Sequence, residues 1–218
     1  MPQEPQIRIR PFDKADRQAI RDIFHATAFL GKPAGAFFDA KEIICDALTA
    51  YFTDYEPEAC FVAVADGVIA GCLIGAKSKA ESEKIIGQKI FPGLIWKALM
   101  SGAFFNWKNI RFIQKSVSSA IKGEFKADDF SKEYPATLHI NLKAEYRAQG
   151  IGARLIAAYC DYLVKEKIPG VCLATMSERA GVFFSEQGFV LLHTGKRSYF
   201  SHILKRDVPV FIYGKIFK

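Results

Sequence analysis

Alternating and helical patterns of apolar residues take turns along this chain. Ile7-Arg-Ile-Arg10 alternates and predicts a short strand that Pro11 ends. Asp13 or Asp16 then caps a helix whose apolar positions Ala19, Ile20, Ile23, Phe24 and Thr27 share one face. Gly31-Lys-Pro-Ala-Gly35 reads as a loop, and 37–55 as a helix with Phe38, Ile43, Ile44, Ala47, Leu48, Tyr51 and Phe52 inward. Two apolar runs, 60–65 and 68–75, flank Asp66-Gly67. An Asp-Gly pair between such runs is a hairpin signal, because a tight type I′ turn needs positive φ at both positions.

The longest patterned stretch runs from Thr137 to Lys167. Leu138, Ile140 and Leu142 alternate with Thr137, His139 and Asn141, a strand signature. Ile151, Leu155, Ala158, Tyr159 and Leu163 recur at helical spacing until Pro169-Gly170 stops the run. Between the two lies Arg147-Ala148-Gln149-Gly150-Ile151-Gly152-Ala153, a glycine-bearing turn that opens a helix. The first N–H groups of a helix lack intrahelical partners, and the helix dipole adds partial positive charge there. That combination suits a phosphate or pyrophosphate. Without a Cβ at Gly150 and Gly152, a ligand can approach the backbone closely. The chain lacks the Gly-Lys-Ser/Thr ending of a Walker loop, and Leu155 stands where a dinucleotide fingerprint wants its third glycine. An ordinary glycine turn joining strand and helix is the plain alternative.

Further on, 170–175 is an apolar strand, and 190–193 and 208–213 supply a final pair linked by a loop that holds Tyr199. The segment 77–133 stands apart. It opens on polar residues 77–84 and continues into two helices near 94–105 and 108–121. Its apolar residues are expected to pack on the core or cap a pocket, as amphipathic helices of globular chains do. Lys97, Lys108, Arg111, Lys115 and Lys122 beside them also fit an interfacial membrane helix, the less favoured reading.

Composition narrows the classes. The 218 residues give room for one well-cored domain, and 50% hydrophobic with 13% aromatic content excludes a disordered chain. No apolar run approaches the roughly 20 residues of a membrane span. Met1-Pro-Gln-Glu-Pro-Gln carries no secretion signal, so the cytoplasm is the expected location. Cys45, Cys60, Cys72, Cys160 and Cys172 are scattered and the four histidines do not cluster, which predicts buried free thiols and no metal site. A net charge of +7 suits an anionic cofactor. The basic residues are spread along the chain, so nucleic acid is not an expected partner.

Taken with the strand before it and the helix after it, Arg147-x-x-Gly150-x-Gly152 resembles the acetyl-CoA signature, Arg/Gln-x-x-Gly-x-Gly/Ala, of the GNAT N-acetyltransferases. A second stretch is similar to their Asn-x-x-Ala-x-x-x-Tyr-x-x-x-Gly-Phe. Here Ala180, Gly188 and Phe189 match, Ser177 stands for asparagine and Phe184 for tyrosine. The resemblance implies an α/β fold with a mixed, mostly antiparallel central sheet flanked by helices. It implies one acetyltransferase domain over 1–218, with a helical insertion at about 80–132. It further implies direct transfer of an acetyl group from acetyl-CoA to a primary amine, on a small molecule or a peptide. A non-catalytic acyl-CoA-binding module is the alternative, and a homodimer is left open.

By the same resemblance, Ile140, Asn141 and Leu142 line the pantetheine and thioester, with the Leu142 N–H polarising the thioester carbonyl. Arg147 opens the signature, and the N–H groups of Ala148, Gln149, Gly150, Ile151, Gly152 and Ala153 hold the pyrophosphate. Ser177 hydrogen-bonds the pantetheine arm, and Phe184 occupies the cofactor-side place of a tyrosine that is usually the acid. Some family members place a glutamate base where this chain has Cys172. An amine of pKa about 10.4 needs help to lose its proton at neutral pH, and an α-amine near 8 needs less. His139 is the candidate base, since its residue type suits that work, with a purely structural histidine as the alternative. Tyr199 or water is the candidate acid.

Overall fold

The computed structural model describes residues 6–217, so the N-terminal stretch read for a secretion signal lies mostly outside the described residues. Seven strands form one sheet: β1 (Ile7–Pro11), β2 (Cys60–Ala65), β3 (Val68–Ala76), β4 (Ala136–Leu142), β5 (Gly170–Thr175), β6 (Val190–Arg197) and β7 (Val208–Ile216). Their order is β1-β2-β3-β4-β5-β7-β6, and every neighbouring pair is antiparallel except β4 with β5. Asp66 and Gly67 turn the β2–β3 hairpin with φ of 49° and 81°, as the sequence predicts. The expected mixed, mostly antiparallel sheet flanked by helices is what the chain adopts.

Helices cover both faces, which is why β2 and β3 read as continuous apolar runs rather than alternating ones. On one face lie α1 (Arg17–Thr27) and α2 (Lys41–Asp54), packed over Val62, Cys72 and Ile74 through Ile20, Ile23, Phe24 and Phe52. On the other lie α6 (Ile151–Lys165) and α7 (Glu178–Glu186), whose Leu155, Tyr159 and Phe184 meet Leu73, Leu138 and Leu173. Asp13 caps a short 3-10 turn, Lys14–Asp16, that leads into α1.

The helix expected over 37–55 begins only at Lys41. Phe37 and Phe38 precede it in the loop, buried in an aromatic cluster with Phe29 and Phe200. Ala47, expected inward, is exposed, while Asp46 is buried because the guanidinium of Arg21 meets it from α1. Hydrophobic spacing alone does not foresee a buried ion pair taking a core-facing position.

Between β3 and β4 the chain is helical. The polar opening, read without a helix, forms α3 (Lys79–Ile85), capped by Ser78, whose Oγ accepts from the Glu81 N–H at 3.2 Å. The Ser-x-x-Glu spacing was the available signal. A widened turn, Ile86–Ile90, joins α3 to α4 (Phe91–Met100), with the Phe91 N–H donating to the Ile86 carbonyl five residues back. After Gly102, at φ 71°, comes α5 (Trp107–Ile121), capped by Asn106. A last single turn, α8 (Ser201–Leu204), lies between β6 and β7. The expectation that these helices turn their apolar sides inward holds only for part of α5, whose Phe112 and Ile113 join the aromatic cluster while Val117 and Ile121 stay exposed. It fails for α4, which buries Leu94 and Ala98 and leaves its other large apolar residues exposed.

Candidate active site

The parallel pair β4–β5 stays together for two positions, Ala136 with Val171 and Thr137 with Cys172, and then separates. On its other edge β4 remains paired with β3 as far as Leu142, and the Lys143 N–H donates to the Ala70 carbonyl at 3.0 Å. Donors alternate sides along a strand, so the N–H groups of Ile140 and Leu142 face the gap left by β5. Gly71 lets the strands approach here. A Cβ on it would meet the Leu142 side chain at 2.1 Å and the Asn141 carbonyl at 2.9 Å. An isolated glycine inside a strand pattern is the signal for such an approach.

At the open end of the gap the chain turns into α6. Ala148 has φ 60° and Gly150 has φ 72°, left-handed conformations that swing the backbone N–H groups outward. Among the described residues, none of the N–H groups from 148 to 153 donates a hydrogen bond, and the first intrahelical donor is Arg154, to the Gly150 carbonyl. Six adjacent donors at a helix N-terminus form an anion cradle. The two glycines serve it differently. Around Gly150 there is open space and the need is conformational, whereas a Cβ on Gly152 would stand 3.0 Å from the Phe183 ring. Arg147 folds back, with Nε and Nη2 donating to the Leu142 carbonyl at 3.3 and 3.2 Å. Its guanidinium also lies beside Gly31 of the α1–α2 loop.

The remaining predicted residues fall around this gap in different ways. Ser177 caps α7, its Oγ accepting from the Ala180 N–H at 3.3 Å, which leaves the hydroxyl proton free. Phe184 lies in the core against Phe183, Phe189 and Tyr213. Asn141 and His139 share the β4 face that looks toward α1 and α2. The Thr27 hydroxyl of α1 lies 3.0 Å from Asn141 Oδ1, and the Phe52 ring meets the His139 ring edge-on with centroids 5.4 Å apart. Solvent reaches His139, yet protein crowds it on the cleft floor. Desolvation there, with a smaller push from Lys79, moves its pKa down to about 4.

Tyr199 sits in the aromatic cluster formed by the α1–α2 loop, α5 and the β6–β7 connection, against Phe112, Phe125 and Phe200. Its hydroxyl points at the Met176 sulfur, 3.7 Å away, just beyond the end of β5. Burial pushes its pKa up to about 12. Cys172 is buried on β5, and burial raises its thiol pKa too. All five cysteines are free and buried, as the sequence reading expects. No group of three or more metal-ligating side chains occurs among the described residues.

Sequence reasoning missed the ion network that braces this side. Arg21 bonds Asp46 and Glu42, and Lys97 of α4 reaches Asp46 at 2.6 Å. Burial works against the ionisation of Asp46, but hydrogen bonds from Lys97 and Arg21 outweigh it and hold its pKa below the ordinary carboxylate value. Two surface concavities lie away from the splayed strands. One is lined by Arg8, Arg154 and Asp161, and the other by the Arg21–Asp46–Lys97 network. The cleft between β4 and β5 is defined by the end of their pairing and by its free donors.

Solved structures share this architecture. SsHAT aligns with a TM-score of 0.69 at 19% identity, covering 97% of this chain and 98% of its own. A polyamine N-acetyltransferase from Drosophila melanogaster, which catalyses formation of N-acetylagmatine, aligns at 0.60 and 14%, covering 97% and 100%. The yncA protein from Salmonella typhimurium, solved with its cofactor acetyl-CoA, aligns at 0.54 and 12%, covering 97% and 94%. No curated protein matches the sequence. The family model described as the acetyltransferase (GNAT) family matches residues 18–189, the span that holds both the splayed strands and the cradle, and the chain belongs to that family.

Proposed function

We propose that the protein is an acetyl-CoA-dependent N-acetyltransferase, acting as one domain over the whole chain, which moves the acetyl group directly to a primary amine. The observation that carries this reading is the gap between β4 and β5, with the inward N–H groups of Ile140 and Leu142 at its side and six unpartnered donors at its mouth. The diphosphate rests on the N–H groups of 148–153. The pantetheine arm runs along 140–142, within reach of the Ser177 hydroxyl. The Leu142 N–H meets the thioester oxygen, where negative charge develops during attack.

The amine enters from the α1–α2 side, where His139 faces it. An imidazole whose pKa lies near 4 is neutral at working pH and can accept a hydrogen bond. It is too weak a base to strip a free alkylammonium of pKa about 10. The acceptor therefore binds as the free amine, and His139 takes part of its proton as the C–N bond forms. Loss of CoA needs little acid assistance, because a thiol of pKa about 8.5 leaves as a tolerable thiolate. Tyr199, held protonated beside Met176, is the side-chain donor available there, and water is the other source.

The test is CoA release from acetyl-CoA across a panel of polyamines, amino sugars, amino acids and peptides. Small amines come first, because the Drosophila relative forms N-acetylagmatine. Amine-dependent release with a mass gain of one acetyl on the amine is the expected result. Slow hydrolysis that no amine stimulates would favour the second reading, an acyl-CoA-binding module. That reading draws on Phe184 and Cys172, which offer neither a hydroxyl nor a carboxylate to the chemistry.

A further inference from the structure

The α4 helix buries Leu94 and Ala98 on one side. The opposite side carries Phe91, Ile95, Trp96, Leu99 and Met100, between 42% and 71% exposed. At about 100° per residue these five span half the helix circumference, so they form one continuous face. Exposed aromatic residues follow directly in the chain, Phe105 in the turn at 89% and Trp107 at the start of α5 at 68% exposure. Both tryptophans of the chain are therefore at the surface of this one region. Such a contiguous apolar face on a folded chain marks an interaction surface.

Its charge identifies the occupant. Between Glu83 and Glu124 there are seven Lys and Arg and no Asp or Glu, so this stretch holds the whole formal excess of +7 and the remainder of the chain is balanced. Lys97 and Lys108 are engaged with Asp46 and Asp39. Lys84, Lys89, Arg111, Lys115 and Lys122 make no ion pair among the described residues. A second copy of the chain would bring the same uncompensated cations face to face. A membrane leaflet with anionic headgroups offers the opposite charge together with an apolar layer for the tryptophans and aliphatic side chains. We propose that α4 and the turn after it seat the protein on an anionic lipid surface as a peripheral, non-spanning contact. No described helix is long and apolar enough to cross a membrane. Through Lys97 and Asp46 the seated helix is tied directly to α2, on the acceptor side of the cleft.

The experiment uses the full chain with vesicles of phosphatidylcholine alone or with 30% phosphatidylglycerol, a composition chosen at roughly the anionic content that polybasic segments respond to. Co-sedimentation and tryptophan emission report binding, since both tryptophans lie in the proposed contact. The expected result is at least about tenfold stronger partitioning onto the anionic vesicles, a blue-shifted emission, and release at high salt, as screening requires. The double variant Trp96→Asp, Met100→Asp changes exposed side chains only. It should partition at least about tenfold less, with an unchanged thermal melt. Absence of binding to anionic vesicles, or equal binding by the double variant, overturns the proposal. So does a blue shift that grows with protein concentration without lipid, which would assign the face to a second copy. A tighter complex with single-stranded DNA than with anionic vesicles would also overturn it.

Discussion

The two sides of the cleft are made of different material. The side proposed for the cofactor, from β4 through the turn into α6, is main chain: free N–H groups set out by two left-handed residues and a glycine that makes room. The side proposed for the acceptor, formed by α1, α2, α5 and the β6–β7 connection, is side chain: an ion network and a cluster of packed rings. Main-chain donors do not titrate and are lost only when the backbone shape changes. Side-chain walls can be removed one group at a time. Damage to one side should therefore have a different signature from damage to the other.

The largest expected effect is Asp46→Ala. It leaves the buried Arg21 with only the exposed Glu42 carboxylate and detaches Lys97. Removing one partner of a buried pair typically costs about 3–5 kcal/mol. The melting temperature should fall by many degrees, and an amine KM should rise, while the Kd for CoA stays close to wild type. Acid should imitate the variant. The pKa of Asp46 is depressed in the folded state, so its contribution is present above the ordinary carboxylate range and is lost as pH falls through the folded value. A CoA affinity that collapses with the melting temperature would break the comparison.

Next is Gly152→Val, which forces a side chain against Phe183 at the cradle. Loss of one charge-assisted hydrogen bond, worth about 1.5–3 kcal/mol, weakens CoA by roughly 10–150-fold. Calorimetry should show that loss with little change in melting temperature. Gly150→Ala sharpens the contrast. It meets no neighbour, but it must hold φ near 72°, which costs a non-glycine residue about 1–2 kcal/mol. Its effect should appear in stability and CoA affinity together.

The smaller effects concern the candidate acid and base. Between pH 6 and 9 the transfer rate should follow deprotonation of the acceptor amine, with no separate inflection near 6.5, because His139 has already lost its proton there. An inflection at 6.5 that disappears in His139→Gln would return the imidazole to an ordinary general base. Tyr199→Phe should lower turnover by less than tenfold, below the usual 10²–10⁴ range of general acid–base help, since the thiolate departs readily. A hundredfold loss with CoA binding intact would make Tyr199 the proton donor.

The difference in material also decides what could be read in advance. The cradle was legible because glycines and helix starts impose a backbone shape that short spacing rules describe. The hairpin at Asp66-Gly67 was legible for the same reason. The acceptor side was not, because its contacts are long-range. Nothing near Arg21 announces Asp46, still less Lys97 from a helix after β3. Phe37 and Phe38 looked like the start of a helix because an aromatic pair at the right spacing is indistinguishable from one until Phe200 closes over it. An outward apolar face on α4 was the less favoured reading, because apolar spacing says where a stripe lies and not which way it points.

The widened turn at Ile86–Ile90 carries one residue more than an α-helical turn in the same space. It acts as a phase shifter. Were the same residues wound as regular α-helix, everything after them would be carried about 100° further round the axis. Lys97 would swing off Asp46, and the face now open to solvent would rotate with it. Removing one residue from the turn should be absorbed silently, since it cancels the surplus and leaves both flanking helices in step. Removing one residue between the turn and Lys97 should throw that lysine a quarter-turn and more out of register with its partner. The helix thus has one place where its length can change by a single residue without its orientation changing.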